Sequence, residues 1–178
     1  TIKAVDGVSF EVKRGETLGV IGESGCGKST VGRVLIHLEE PTSGEILYGG
    51  VSSTKLKKKD RLAFCRTCQM IFQNPFDTFD PRYTIEKIFM STLKLHKIGA
   101  NDAERQQIMI KTLEDAGMAP ATDYIYRHPH ELSGGQLQRI SILRSMLLRP
   151  SFLVADEPVS MLEVSIRADI INMLQTLS

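Results

Sequence analysis

The run Gly22-Glu23-Ser24-Gly25-Cys26-Gly27-Lys28-Ser29-Thr30 constrains this chain more than any other stretch. It fits the pattern G-x-x-x-x-G-K-[ST] at every fixed position. Its flanks suit the pattern too. Thr17-Leu18-Gly19-Val20-Ile21 is a short apolar run that predicts a buried strand, and Val31 to Leu38 predicts a helix. The chemistry explains the spacing. Glycines let backbone N–H groups turn inward around an anion with no Cβ in the way. A helix opening at the end of the loop aims the positive end of its dipole at the same anion. Lys28 then reaches the β- and γ-phosphates, and the Ser29 hydroxyl is a ligand for Mg²⁺. Gly22 to Thr30 is therefore expected to bind a nucleoside triphosphate. The loop alone names neither the base nor the use of the energy.

Before the loop, Val8, Phe10 and Val12 alternate with polar residues, which predicts a half-buried strand. After the first helix, Pro41-Thr42-Ser43-Gly44 is a stop and Glu45 to Tyr48 a short strand closed by Gly49-Gly50. A mixed sheet with antiparallel members follows from this order. Lys55 to Arg61 holds five basic residues in seven positions and reads as a solvated helix surface. No aromatics interleave with them, so a single-strand nucleic-acid surface is not expected. Cys68 to Gln73 is an apolar strand ending at Gln73-Asn74-Pro75. From about Thr84 to Gly117 the pattern is helical, with Asn101 or Asp102 as N-cap of a second helix and Ile108, Leu113 and Met118 as its loose apolar face. Ser133-Gly134-Gly135 opens another helix, ended by Pro150. Phe152-Leu153-Val154-Ala155 predicts a central parallel strand, and Ser165 to Leu177 a last amphipathic helix carrying Ile166, Ile170, Met173 and Leu177.

The chain has 178 residues, a formal net charge of +1 and 42% hydrophobic residues. That is an ordinary globular composition with no field that marks nucleic acid or anionic lipid as a partner. No apolar run is long enough to span a bilayer and the start has no secretory-leader pattern, so any membrane role is expected to be peripheral. Three cysteines, one of them in the loop, make no disulfide framework. Cys65-Arg66-Thr67-Cys68 has metal spacing but lacks a second ligand pair, and both cysteines read as ordinary positions near a strand start.

A phosphate loop needs an acid to anchor the metal and a group to orient the attacking water. Asp156, at the tip of an apolar strand, suits the Mg²⁺ site, and Glu157 suits the base for the hydrolytic water. Gln73 is neutral, yet its carbonyl can ligate Mg²⁺ and its amide can hold a water at a strand end before a proline. Ser133-Gly134-Gly135-Gln136 is a second bare helix start, an anion site without a lysine. Two such sites about a hundred residues apart suggest two copies packed head to tail, each loop facing the other's Ser133 helix with ATP between.

Leu132 to Gln136 resembles the signature motif of ATP-binding-cassette (ABC) ATPases. Gly22 to Thr30 resembles their Walker A, Phe152 to Glu157 their Walker B, and Gln73 their Q-loop. Phe72-Gln73-Asn74-Pro75-Phe76, Asp80-Pro81-Arg82, His128-Pro129-His130-Glu131-Leu132, Asp156-Glu157-Pro158-Val159-Ser160 and Ala4 to Phe10 narrow the likeness to the ATPase subunits of oligopeptide and dipeptide importers. The resemblance implies an α/β P-loop cassette with a RecA-like core, an antiparallel β-lobe and an inserted helical lobe. It would divide as β-lobe and loop core over 1–75, helical lobe over 76–132, and signature helix with Walker B over 133–178. It implies ATP and Mg²⁺ as cofactors. It also implies a second cassette and transmembrane permease subunits as partners, a solute-binding protein indirectly, and a peripheral place on the cytoplasmic face of the membrane.

The chain departs from that family in places. Ser160-Met161-Leu162-Glu163 stands where Ser-Ala-Leu-Asp is usual. Leu137 replaces a polar or basic residue, and Ser141, Leu143 and Ser145 replace alanines. The adenine-stacking aromatic is expected upstream of Thr1 and the switch histidine beyond Ser178, since His37, His96, His128 and His130 are all elsewhere. The chain therefore reads as part of a longer cassette. Two other readings stay open: a soluble ABC ATPase acting on ribosomes or DNA, and a nucleotide sensor without turnover. A small GTPase is excluded, because neither Asn-Lys-x-Asp nor an Asp-x-x-Gly after Asp156 is present.

Overall fold

The computed structural model describes residues 3–160, 162 and 164–177. Its frame is a parallel strand pair, β3 (Cys68–Ile71) and β4 (Phe152–Ala155), in register from Cys68 opposite Phe152 to Ile71 opposite Ala155. Ser151 N–H to Thr67 O and Asp156 N–H to Ile71 O, both 2.9 Å, extend the pairing at either end. Side chains alternate across such a pair, so it offers two faces. Met70 and Val154 point to one. Helix α1 (Lys28–Leu35) lies there, at Gly32, where a Cβ would stand 2.9 Å from Val154 Cγ1. Ile71 and Leu153 point to the other. There they meet Ile142 of helix α7 (Gly134–Met146), Leu162, and Ile170 of helix α8 (Val164–Leu177).

A larger apolar cluster is built by α4 (Ile85–Leu95), α5 (Asp102–Asp115), α6 (Thr122–Ile125) and the other side of α7. Ile85, Ile88, Phe89 and Leu93 make one stripe of α4, as helical spacing requires. Thr84 and Asn101 cap α4 and α5, accepting from Lys87 N and Glu104 N. Gly117, at φ +76°, ends the α5 segment as its position after the last turn predicts. Leu137, Ile140 and Leu143 give α7 to this cluster while Ile142 gives it to the strand-side cluster. Helix α7 is thus the seam between the two.

Several expectations are corrected. Val8 to Val12 and Thr17 to Ile21 form no strands among the described residues; Val8 is 58% exposed and Ile21 97%. Alternation or an apolar run states what a strand would bury, but only pairing with a neighbouring edge makes the strand, and neither segment has one among the described residues. For the same reason β4 is not central: its one partner among the described residues is β3. The expected mixed sheet is not formed among the described residues: β1 (Leu47–Tyr48) and β2 (Val51–Ser52) pair antiparallel only with each other, turned by Gly49 and Gly50 at φ +56° and +78°, separate from the β3–β4 pair. The first helix ends at Leu35 rather than Leu38, with His37 at φ +56°.

The basic run is split between α2 (Ser53–Lys59) and α3 (Arg61–Thr67), because the Asp60 carboxylate caps α3 by accepting from Ala63 N. In α5 it is Met109, not Ile108, that is fully buried with Leu113, since i and i+4 share a face. Met161 and Glu163 lie outside the described residues.

The end of α1 is tied to α2 by a buried polar bridge. His37 Nε2 lies 2.7 Å from Ser53 Oγ, and Nδ1 lies 3.0 Å from Glu40 Oε2, which also pairs through Oε1 with Lys57 at 2.7 Å. Ser53 is 1% exposed, so this serine–histidine–carboxylate order is closed to any substrate and serves as a clamp.

Candidate nucleotide site

The loop before α1 reaches its shape through left-handed glycines. Gly25 stands at φ +81° and Gly27, the N-cap residue, at φ +99°. A Cβ on Gly27 would collide with the Ala4 carbonyl oxygen. No side chain caps α1, so its first-turn N–H groups keep the positive end of the helix free for an anion. Lys28 folds back along the loop and donates to Gly22 O at 2.8 Å and Glu23 O at 2.9 Å. Its Nζ also stands 4.0 Å from Glu157 Oε1.

Three segments far apart in sequence close on this loop. The Ser29 hydroxyl donates to Asp156 Oδ1 at 2.9 Å, joining the first turn of α1 to the end of β4. Gln73 Nε2 donates to Glu157 Oε2 at 3.0 Å, joining the end of the β3 segment to the same turn. Glu157 has φ +44°, a conformation that costs a non-glycine residue about 1–3 kcal/mol and recurs at functional sites. Ser160 holds it there, donating to Glu157 O through both N–H (3.1 Å) and Oγ (3.0 Å). Ala4, Ser24, Gly25, Gly27 to Thr30, Gln73 and Glu157 line one cleft of about 250 Å³. Ala4 is the member that sequence reasoning missed; its contribution is a backbone contact with Gly27, which no motif records.

The donors fit the groups that the motif implies. Ser29, Asp156 and Gln73 offer hydroxyl, carboxylate and amide oxygens, the hard ligands Mg²⁺ takes. Lys28 and the open start of α1 offer positive charge to a polyphosphate.

Ser133 to Gln136 are placed differently. They do not line the cleft. Ser133 Oγ accepts from Gln136 N–H at 3.2 Å, and Gln136 Oε1 accepts from Ser133 N–H at 3.0 Å. This reciprocal cap satisfies the Ser133 and Gln136 N–H groups from within. Gly22 to Thr30, Gln73, Asp156 and Glu157 are therefore brought together, and Ser133 to Gln136 are not among them. Cys26 and Cys65 are exposed free thiols, and burial pushes the Cys68 thiol up from its usual range.

The sequence profile described as ABC transporter matches residues 5–160. The chain belongs to the ABC transporter family. Among curated relatives, the cassette is 46% identical over 177 residues to the putative oligopeptide transport ATP-binding protein YkfD of Bacillus subtilis. It is 47% identical over 179 residues to the oligopeptide transport ATP-binding protein OppF of the same organism. Both alignments take in 99% of this chain but 53% and 58% of the relatives, so the chain spans about half the length of the curated relatives it matches. Among solved structures, it superposes on the dimeric bacterial ABC transporter cassette MJ0796 with a TM-score of 0.84 at 27% identity. That match covers 98% of this chain and 74% of the other. A post-hydrolysis dimer of MJ0796 bound to ADP and Pi gives 0.83 at 26% identity, with the same coverages. The α/β P-loop cassette fold follows.

Proposed function

We propose that this chain is the nucleotide-binding part of an ATP-hydrolysing subunit of an ABC importer for peptides or similar solutes. The observation that carries the reading is the convergence of Lys28, the Ser29–Asp156 pair and the Gln73–Glu157 pair on one cleft. Lys28 exchanges its loop carbonyls for β- and γ-phosphate oxygens. Ser29, Asp156 and Gln73 would hold Mg²⁺, which when bound would neutralise charge on the leaving phosphates. Glu157, held by the Gln73 amide, takes the proton of the attacking water. The water oxygen bonds to the γ-phosphorus, the bond to the β–γ bridging oxygen breaks, and ADP leaves with that electron pair.

Ser133 to Gln136 complete the site of a second cassette, homo- or heterodimeric, with ATP at the shared interface. The names of the relatives and the dimeric cassettes of like fold support this assembly. Permease subunits take up the motion and a solute-binding protein delivers the cargo, which places the assembly at the cytoplasmic face of the membrane. Residues 1–75, 76–132 and 133–178 act as β-lobe and loop core, helical lobe, and signature-plus-Walker B part.

The test is the ATPase rate of the full-length protein against its concentration, with Glu157→Gln beside it. A rate that rises faster than linearly and vanishes in the variant is expected. Tight ATP binding with no turnover at any concentration overturns the reading.

A further inference from the structure

Helix α7 carries one side-chain hydrogen bond to the Phe72–Gln73 segment among the described residues. Gln138 Nε2 donates to Phe72 O at 3.4 Å. Gln138 is 1% exposed, and its Oε1 is buried with no partner. The amide's orientation is set by its neighbour, since a flipped amide would press Oε1 against the Phe72 carbonyl. A half-satisfied amide in a packed interior is unfavourable for stability, and an apolar side chain of equal length would remove the penalty. Packing alone therefore does not explain a glutamine here.

Its position does. Phe72 C=O and Gln73 N–H belong to one planar peptide unit. Holding the carbonyl oxygen fixes the plane from which the Gln73 side chain departs. That side chain donates to Glu157 Oε2 at 3.0 Å, and Glu157 stands 4.0 Å from Lys28 Nζ. At the other end, Gln138 lies two residues beyond Gln136, in the first turn and a half of the helix that Ser133 and Gln136 cap. The same helix is the seam between the two apolar clusters.

We propose that Gln138 is a positioning residue that transmits the placement of the Ser133-capped helix to Gln73, and through it to Glu157. This rests on the ATPase reading above. Gln138 does not line the cleft itself. A shift of α7 moves Phe72 O, re-aims the Gln73 amide and releases or engages Glu157. The assembly of a second cassette on Ser133 to Gln136 is thereby felt at the base in the same chain.

The experiment compares Gln138→Met with the parent in the full-length cassette, alone and combined with Gln73→Ala. Gln138→Met keeps length and removes the donor. The expected result is a turnover number about tenfold lower with the KM for ATP changed less than about twofold, the size of one hydrogen bond to an oriented group. On the Gln73→Ala background the same change is expected to have no further effect, because the side chain it positions is gone. Equal effects on both backgrounds, or unchanged turnover in Gln138→Met, overturn the proposal.

Gln138→Glu is the second variant. Burial raises the pKa of a carboxyl here, so the variant puts a donor against Phe72 O while protonated and an acceptor only once pH rises past that raised value. Its turnover relative to the parent is expected to recover as pH falls, and a flat ratio overturns the proposal even where Gln138→Met fails to fold. A parent cassette that binds ATP but never hydrolyses it defeats the functional reading instead, and the two failures are thereby told apart.

Discussion

Helices α1 and α7 both start at glycine-rich turns, and the two starts are finished in opposite ways. At α1 the N-cap is Gly27, left-handed and without a capping side chain, preceded by another left-handed glycine and followed by a lysine. At α7 the N-cap is Ser133, extended, in a reciprocal bond with Gln136, and the glycines that follow have ordinary backbone angles. The first start is short of hydrogen-bond acceptors and faces a cleft of its own chain. The second is capped at Ser133 and Gln136 by its own side chains and does not line that cleft. A helix N-terminus becomes an anion site only where its N–H groups lack partners and other groups converge on it. By that standard the proposed site within this chain is at α1, and on the same proposal α7 takes a ligand brought to it by another surface.

The largest effect that can break this contrast is chemical. Glu157→Gln is expected to lower ATP turnover about 10²–10⁴-fold, as loss of a general base does. ATP affinity should change by less than about threefold, measured by equilibrium binding. A parallel loss of affinity would show that the Glu157 turn builds the cleft rather than serving the reaction. Next comes Lys28→Ala, expected to weaken ATP binding by a single chain about 10–100-fold through loss of charged hydrogen bonds. Ser133→Ala should leave single-chain binding unchanged and lower turnover by the assembled pair. If Ser133→Ala weakened ATP binding by a single chain as much as Lys28→Ala, the two starts would be equivalent after all.

The glycines sharpen the contrast on the scale of stability. Gly27→Ala adds a left-handed alanine and a collision with Ala4 O, and is expected to cost at least about 1–3 kcal/mol in urea unfolding. Gly134→Ala meets nothing nearer than Leu162 Cδ2 at 4.0 Å and should be neutral or gain up to about 1 kcal/mol.

Smaller still are the hydroxyls of α7. Ser141 and Ser145 are each 1% exposed, and their Oγ atoms have no partner. Ser141→Ala is expected to raise stability by about 1 kcal/mol by removing an unpaired buried group, readable as a higher melting temperature.

The smallest effect is at Glu131. The His128 N–H it accepts at 2.6 Å holds its carboxyl below the usual range, helped by charge on His128, His130 and Arg127. Its folded pKa is lowered, so its contribution is complete above the ordinary carboxyl value and is lost as pH falls through the folded one. Glu131→Gln should remove that part of the acid dependence. An unchanged acid limb of the unfolding profile would show that the turn before α7 does not depend on it.

The sequence by itself determined the features that depend on neighbours in the chain. Asn101, one of the two caps offered for α5, Gly117 as a stop, the loop from Gly22 to Thr30 and the acids at the end of Phe152 to Ala155 all follow from short-range geometry, whereas the capped Ser133–Gln136 segment reads in sequence as a bare helix start. Each was legible for that reason, and the family resemblance rests on these same residues. The tertiary structure decided the rest. Alternation at Val8 to Val12 and the apolar run at Thr17 to Ile21 could not supply a pairing edge, so neither became a strand among the described residues. A loose helical stripe could not choose between Ile108 and Met109; packing against α4 and α7 did. Above all, no local rule joins Ser29 to Asp156 across 127 positions, or Gln73 to Glu157 across 84. Those bonds exist because β3 and β4 lie side by side and in register, which places the ends of two distant segments at one edge, beside the open end of α1.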